Sequence, residues 1–171
     1  KIGDPSDEQT ELGALISAEH LEKVEGYIEL AKEEGGTVLT GGYPCLPKSL
    51  EGGNWISPTV VSGLKTDSRC STEEIFGPVV TVHRFQDDEE AIEIANNTRY
   101  GLAGSVWTGN VDRGRKVADS IHTGMVWVNT WLHRDLRAPF GGVGDSGVGR
   151  EGGKWSLGFF SEATNVCVKH D

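Results

Sequence analysis

The amino-acid sequence predicts an α/β fold, with a mostly parallel sheet, flanking helices and a C-terminal strand. Short apolar runs alternate with amphipathic segments of about ten to fifteen residues, which is the pattern of βαβ units. Gly or Asn pairs follow several amphipathic segments, as expected at helix ends. The last alternating run, Thr164–Lys169, is typical of a strand, and a terminal strand needs a partner. That partner could be the sheet of its own chain or a neighbouring subunit, and we expect the neighbouring subunit.

The first half of the chain is predicted to contain one helix and three strands. Ser17 is a suitable N-cap, and apolar residues recur at helical spacing until Gly35-Gly36 ends the helix. Pro58 interrupts the second strand-like run, which favours an edge strand or a bulge. The predicted elements are a helix after Ser17, a strand at Val38-Leu39, a Gly/Pro-rich loop at 43–54, and strands at 55–61 and 79–85.

In the second half of the chain, predicted helices and strands alternate more regularly. Asp87-Asp88 are predicted to cap a helix that ends near Asn96-Asn97. A later helix is predicted to start at Asn110 or Asp112 and to be closed by Gly124. The other predicted elements are strands at 102–107 and 125–129, a long loop at 130–153 and a short helix at 154–160.

Composition narrows the classes of partner and site. The 26 acidic and 16 basic residues give a formal net charge of -10, which disfavours nucleic acid as a partner. No apolar run approaches the ~18 residues of a membrane span, and no basic-then-apolar signal segment opens the chain. Cys45, Cys70 and Cys167 are far apart and form no C-x-x-C pair. We therefore expect neither a disulfide framework nor a metal site, and we expect a cytoplasmic location.

The stretch Glu73-Glu74-Ile75-Phe76 places two acids and an aromatic residue before a Gly-Pro break and a strand-like run. Gly and Pro predict a loop at the mouth of that strand, and loops on a rigid scaffold often carry function. The alternative interpretation is a solvated edge of the sheet. Composition alone favours that alternative.

A glycine-rich loop contains a literal G-x-G-x-x-G at Gly142, Gly144 and Gly147. A dinucleotide-binding fingerprint requires a strand directly before the motif and a helix directly after it. Here Pro139-Phe140 precedes the motif and Arg150-Glu151-Gly152-Gly153 follows it. We therefore interpret it as a loop whose glycines allow positive φ angles and close backbone approach.

Two arginines precede that loop, at Arg134 and Arg137. They could bind a carboxylate bidentately, or they could pair with Asp135 or other surface acids. The residues themselves leave both interpretations open. No nucleophile is evident: Cys70 precedes the Glu pair, whose carboxylates would raise its pKa, and no Ser-His-Asp set has a recognisable context.

Several blocks, taken in order, resemble the C-terminal part of the aldehyde dehydrogenase superfamily. They cover nearly the whole chain and lie at 15–28, 57–61, 73–80 (E-E-I-F-G-P-V-V), 95–108, 124–129 (G-M-V-W-V-N) and 139–153. The resemblance implies that residues 1–150 are the C-terminal part of the catalytic domain. It implies that residues 151–171 are a helix and an oligomerisation strand. Together with the turn-like start at Lys1, it indicates a segment of a larger protein.

The resemblance also implies a cofactor and site residues. In this family a cysteine thiolate attacks the aldehyde, a hydride passes to NAD(P), and a glutamate base helps water to hydrolyse the thioester. The Glu and Phe of E-I-F hydrogen-bond the nicotinamide ribose and pack by the nicotinamide, roles that fall on Glu74 and Phe76. Positions equivalent to His20 and Lys23 lie near the adenosine side in some members. The nucleophile, the base and the nucleotide-binding sheet correspond to positions upstream of Lys1, so NAD, with NADP not excluded, is expected to be bound mainly by an upstream domain.

Within the family, W-L-H-R-D-L-R-A-P-F-G-G at 131–142 and the ending F-F-S-E-A-T-N-V-C-V-K are most similar to 2-amino- and 2-hydroxymuconic semialdehyde dehydrogenases. There an arginine equivalent to Arg134 binds the substrate carboxylate. Val143-Gly144-Asp145 departs from the subgroup, in which Ser-Lys-type residues are usual. The resemblance implies oxidation of a carboxylated semialdehyde by a homo-oligomer, and the isolated chain is expected to be inactive. The alternatives are a non-catalytic oligomerisation module and a segment of a betaine-aldehyde-type dehydrogenase.

Overall fold

The structure is a computed structural model that describes residues 1–45 and 52–170. It divides into two compact units, Lys1–Gln86 and Asp87–Asp171, each of which is described by itself. The helices are α1 (Ala18–Glu33), α2 (Arg69–Thr72), α3 (Asp88–Asn96), α4 (Val111–Ser120) and α5 (Gly153–Phe160). The strands are β1 (Thr37–Thr40), β2 (Thr59–Ser62), β3 (Val79–Val82), β4 (Ala103–Val106) and β5 (Met125–Val128). The α/β class is confirmed.

Helix α1 is the main element of the first unit. The Ser17 hydroxyl accepts a hydrogen bond from the backbone amide three residues later, at 3.1 Å, which confirms the predicted N-cap. Val24, Ile28 and Ala31 are 0–2 % exposed and lie at i, i+4 and i+7, so one face of the helix enters the core. Gly35, just beyond the helix, adopts a φ of +87°, as expected for a glycine that closes a helix.

The first unit has a three-stranded sheet in the order β1-β2-β3. Strand β2 pairs parallel with β3 but antiparallel with β1. Strands β4 and β5 form a separate parallel pair, so the described strands lie in two sheets where one was predicted. Two consecutive strands can pair in parallel only through a crossover connection, which is usually a helix. No helix was predicted between β1 and β2, so their antiparallel pairing does not conflict with the predicted order of elements. The predicted loop at 43–54 lies partly outside the described residues.

Helix α2, which was not predicted, is positioned by the end of α1. The Glu34 carboxylate accepts hydrogen bonds from the backbone amides of Arg69, at 2.9 Å, and Cys70, at 3.2 Å. Burial pushes the pKa of the Glu34 carboxyl upward, but these hydrogen bonds lower it below its ordinary value overall. A carboxylate at a helix N-terminus satisfies free amides and complements the helix dipole. Four residues give no periodicity, so the sequence pattern could not reveal this helix.

The second unit follows the predicted order closely. Asp87 and Asn110 cap α3 and α4, accepting backbone hydrogen bonds at 2.9 and 3.0 Å. On α4, a Cβ added at Gly114 would lie 2.7 Å from Val128 Cγ1 of strand β5. Helix and strand therefore approach closely because Gly114 has no side chain. Helix α5 is also confirmed.

The C-terminal segment differs from its prediction. Residues 161–170 form no strand within the described chain, and the segment is exposed. An alternating sequence gives a strand only when a partner supplies the backbone hydrogen bonds. Pairing with a neighbouring subunit stays a prediction. In the described part of the chain, no helix has the length and apolar character that a membrane span requires.

Candidate functional site

The Glu73–Pro78 loop lies between α2 and β3 and contacts one face of α1. Ile75 is buried and belongs to the core cluster that contains Val24 and Ile28. A Cβ added at Gly77 would lie 2.6 Å from Val24 Cγ2, so the loop passes directly over that residue. The loop is therefore anchored in the core by its central residue and approaches the helix at its glycine.

The two acids of the loop have different environments. The Glu73 carboxylate accepts hydrogen bonds from Arg69 Nε at 2.9 Å and Arg69 Nη2 at 3.0 Å. The Tyr27 hydroxyl donates to it as well, at 2.7 Å, and this hydrogen bond raises the pKa of Tyr27. Glu73 is therefore bound within the unit. The Glu74 carboxylate is exposed, and we find no hydrogen bond to it from the described residues.

Backbone groups of the loop are bound by side chains of α1. Lys23 Nζ donates to the carbonyl of Glu74 at 3.1 Å, and His20 Nε2 donates to the carbonyl of Phe76 at 2.5 Å. The His20 and Phe76 rings also meet edge to face, with centroids 5.8 Å apart. Phe76 has a φ of +59°, which a bulky side chain adopts only when its surroundings hold it there.

The consequence is a pair of exposed groups on a fixed backbone. Phe76 is 72 % exposed, although its backbone is strained, and Glu74, two residues earlier, is exposed as well. Such a pair can accept hydrogen bonds from two neighbouring hydroxyls and pack against a planar ring. Binding of a nicotinamide ribose by Glu74 and Phe76 stays a prediction. The solvated-edge interpretation does not explain why a phenylalanine is held outward in this conformation.

The second unit contains the predicted arginines. The guanidinium of Arg137 hydrogen-bonds Asp135, with Nη2 at 2.6 Å from a carboxylate oxygen. The Arg134 guanidinium lies over the ring of Phe140, 4.0 Å from the centroid, and makes a longer contact of 3.4 Å with Glu151. The two arginines therefore differ in their pairing. Arg137 forms a close ion pair with Asp135, two residues earlier, whereas Arg134 has only the longer contact with Glu151.

The backbone before Arg134 is supported by strands β4 and β5. Trp127 Nε1 donates to the carbonyl of His133 at 2.8 Å, and the Trp127 and Trp131 rings lie 5.0 Å apart. The side-chain amide of Asn129 bonds both the N–H and the carbonyl of Thr108, each at 2.8 Å. These contacts fix the loop that presents Arg134.

The glycine-rich loop has the character expected from its sequence. Gly144, Gly147 and Gly149 adopt φ angles of +58°, +140° and +77°, which only glycine accommodates readily. Arg150 Nη1 donates to the carbonyls of Gly142 and Gly149, at 2.8 and 2.7 Å. A short 3-10 turn at Gly144–Ser146 is the only helical element before α5 in this part of the described chain. Among the described residues, β5 ends at Val128 and α5 begins at Gly153, so no strand directly precedes the G-x-G-x-x-G motif and no α-helix directly follows it.

The three cysteines are free, and one is buried. Burial raises the pKa of the Cys70 thiol to about 12, with the Glu34 carboxylate as a further cause. The direction agrees with the prediction, but the carboxylate chiefly responsible is Glu34 and not the Glu73-Glu74 pair. Residues 1–45 and 52–170 hold no group of three or more potential metal ligands.

The resemblance placed His20 and Lys23 near the adenosine side of the cofactor, but sequence reasoning did not predict that α1 contacts the Glu73–Pro78 loop. His20, Lys23, Val24 and Tyr27 lie at i, i+3, i+4 and i+7, so they share one helical face. All four contact the Glu73–Gly77 stretch, some fifty residues away in sequence. The spacing of these four residues in the sequence shows that they share a helical face, but it does not show that this face contacts the Glu73–Pro78 loop.

Comparison with known proteins is consistent with these observations. The model of the aldehyde dehydrogenase family matches residues 1–166. The chain is 50 % identical to a 2-aminomuconic 6-semialdehyde dehydrogenase from Pseudomonas sp, over 100 % of this chain and 35 % of that protein. It is 51 % identical to a 2-hydroxymuconic semialdehyde dehydrogenase from Pseudomonas putida, over 99 % of this chain and 35 % of that protein. The chain thus spans about a third of the length of these relatives.

A solved structure is also similar. The betaine aldehyde dehydrogenase of Staphylococcus aureus in complex with NAD+ superposes with a TM-score of 0.89 at 41 % identity. The match covers 94 % of this chain and 32 % of that protein.

Proposed function

The chain belongs to the aldehyde dehydrogenase family, and from this premise we propose that it is the C-terminal part of an NAD(P)-dependent enzyme for a carboxylated semialdehyde. Substrates of this class include 2-amino- and 2-hydroxymuconate semialdehyde, which are oxidised to the acid. Residues 1–150 would complete a catalytic domain, and residues 151–171 would contribute to assembly. The observation that carries the proposal is the exposed Glu74–Phe76 pair on a backbone held by α1.

On the cofactor side, two residues of this chain would contact the nicotinamide-ribose half. The Glu74 carboxylate can accept from both vicinal ribose hydroxyls, and the exposed Phe76 ring can pack beside the nicotinamide. When bound, the nicotinamide supplies the acceptor for the hydride that leaves the aldehyde carbon. The relative from Staphylococcus aureus was solved with NAD+, which favours NAD over NADP as the cofactor.

On the substrate side, we assign the substrate carboxylate to Arg134. The Arg134 side chain is 35 % exposed, lies against Phe140 and contacts Glu151 only at 3.4 Å. A planar guanidinium suits a carboxylate because it can donate two parallel hydrogen bonds. The relatives named for muconic semialdehydes favour such a substrate over betaine aldehyde, which is cationic and would be repelled by Arg134.

None of the three cysteines suits the role of nucleophile. A nucleophilic cysteine needs a lowered pKa, and burial raises that of Cys70 to about 12. Cys45 and Cys167 have no base within reach among their described hydrogen-bond partners. We propose that the nucleophile and the general base belong to the rest of the enzyme. The 171-residue chain alone should not oxidise aldehydes.

The test is turnover by the complete protein and by the chain. The complete protein should reduce NAD+ with 2-hydroxymuconate semialdehyde at a higher kcat/KM than with betaine aldehyde, and the isolated chain should be inactive with both. Higher kcat/KM for betaine aldehyde would overturn the substrate class. Turnover by the isolated chain would overturn its role as a part of the active site.

The exposed C-terminal segment supports a second role in assembly. Phe160, Val166 and Val168 are 71–78 % exposed, which is unusual for three apolar residues within ten positions. We propose that this segment pairs with a neighbouring subunit of the same protein. Deletion of residues 164–171 should lower the mass measured by light scattering, and an unchanged mass would contradict this role.

A further inference from the structure

Phe76 is one of three non-glycine residues with positive φ in the described chain, and its carbonyl has a partner on another element. His20 Nε2 donates to that carbonyl at 2.5 Å, and the His20 ring meets the Phe76 ring edge to face at an interplanar angle of 74°. A carbonyl oxygen can only accept, so the Nε2 atom carries a proton in this contact. His20 therefore fixes both the backbone and the ring of Phe76.

Two further contacts fix the residues before Phe76. Lys23 Nζ donates to the carbonyl of Glu74 at 3.1 Å, and the Ile75 side chain is buried in the core. Each of three successive residues is thus held through its carbonyl or through its buried side chain. The Glu74 carboxylate and the Phe76 ring remain exposed.

We propose that His20, assisted by Lys23, is a positioning residue that holds Phe76 in its left-handed conformation. In this way Glu74 and Phe76 are presented together to the nicotinamide-ribose half of the cofactor. This inference rests on the proposed function. It assigns to α1 a role in cofactor affinity that is exerted through the backbone of the loop.

Without the hydrogen bond from His20, Phe76 loses the contact that compensates for its unfavourable φ. The loop should then relax toward a negative φ, and the Phe76 ring should leave its position near the Glu74 carboxylate. The cofactor would have to reorder the loop on binding, which lowers its affinity. The N–H donor of His20, more than its imidazole ring, is therefore the group required to hold Phe76 in place.

Two substitutions in the full-length protein separate these contributions. His20→Leu removes the donor, and His20→Gln keeps an N–H donor on a side chain of similar reach. His122→Leu, at an exposed histidine of the other unit, is the matched control. Lys23→Met provides a second test if His20→Leu does not fold.

Amide hydrogen exchange at Val79, whose N–H donates to the carbonyl of Gly77 at 2.8 Å, is the first measurement, made without cofactor. The dissociation constant for NAD+ is the second. His20→Leu should accelerate exchange and weaken NAD+ binding, each by about 5–10-fold, as expected for the loss of one hydrogen bond. His20→Gln and His122→Leu should stay within about twofold of the wild type. Lys23→Met should show the same effects as His20→Leu at a smaller size.

Equal losses in His20→Leu and His20→Gln would overturn the proposal, because the donor would then be irrelevant. Faster exchange with unchanged NAD+ affinity would overturn it as well. Glu74→Gln distinguishes failure of the proposed cofactor site from failure of the positioning role of His20. If Glu74→Gln weakens NAD+ binding and His20→Leu does not, only the positioning role fails; if Glu74→Gln has no effect, the proposed cofactor site fails.

Discussion

Arg69 donates two hydrogen bonds to the carboxylate of Glu73, at 2.9 and 3.0 Å, while the neighbouring Glu74 carboxylate stays exposed. The pair looks symmetric in the sequence, but one acid ties α2 to the loop and the other is available to a ligand. This difference provides a matched comparison between two substitutions at adjacent positions.

We expect Glu74→Gln to weaken NAD+ binding and Glu73→Gln to leave it unchanged. A carboxylate that accepts from two ribose hydroxyls loses about 1–2 kcal/mol when it becomes an amide, which raises the dissociation constant roughly 5–30-fold. Glu73→Gln should instead lower the free energy of unfolding by less than about 1 kcal/mol, because the ion pair with Arg69 is partly exposed. Titration with NAD+ and urea denaturation measure the two effects. A larger loss of NAD+ affinity in Glu73→Gln would reverse the assignment.

Arg134→Ala should raise KM for a carboxylated semialdehyde far more than KM for a neutral aldehyde. Loss of charged hydrogen bonds of about 1.5–3 kcal/mol corresponds to roughly 10- to 150-fold in KM. Arg137→Ala is the control, since that guanidinium is already paired with Asp135. Steady-state kinetics on both substrates gives the answer, and equal effects of Arg134→Ala on the two would exclude carboxylate binding at this residue.

The buried Cys70 thiol should make stability fall in alkaline solution. Its pKa is about 12 in the folded protein and about 8.5 in the unfolded chain, so between these values the unfolded state loses its proton first. The contribution is full below pH 8.5 and is lost as pH rises toward 12. Cys70→Ala should therefore flatten the decline in unfolding free energy above pH 9, whereas Cys167→Ala, at an exposed thiol, should not. Identical pH profiles for Cys70→Ala and the wild type would contradict the raised pKa.

Gly77→Ala tests the packing of the loop on α1. The added methyl group would lie 2.6 Å from Val24 Cγ2, and Val24 is fully buried, so neither side can move away easily. We expect a loss of about 1–3 kcal/mol in unfolding free energy. Val24→Ala should make the Gly77→Ala substitution less costly in a double-mutant cycle. Strict additivity of the two substitutions would show that the loop does not press on this residue.

The local signals in the sequence were accurate because they depend on neighbours in the chain. Ser17 and Asp87 cap their helices as predicted, since a cap needs only the next three residues. Glu74 and Phe76 were identified from a resemblance; they lie exposed on a fixed loop, and their contact with a cofactor stays a prediction.

The missed features all depend on residues distant in sequence. Helix α2 needs Glu34 to satisfy its amides, and the positive φ of Phe76 needs His20. The antiparallel pairing of β1 with β2 brings together residues far apart in the chain, such as Val38 and Val61. Periodicity describes which face of an element is apolar, but it does not identify what that face meets.

The edge-to-face contact between Trp127 and Trp131 has a practical consequence. One indole is buried and hydrogen-bonded to the backbone of His133, whereas the other is 58 % exposed, so the two emit in different surroundings. At 5.0 Å their electronic transitions couple, and near-ultraviolet circular dichroism should record their mutual orientation. The segment before Arg134 thus contains its own optical reporter of local conformation, which needs no dye or label.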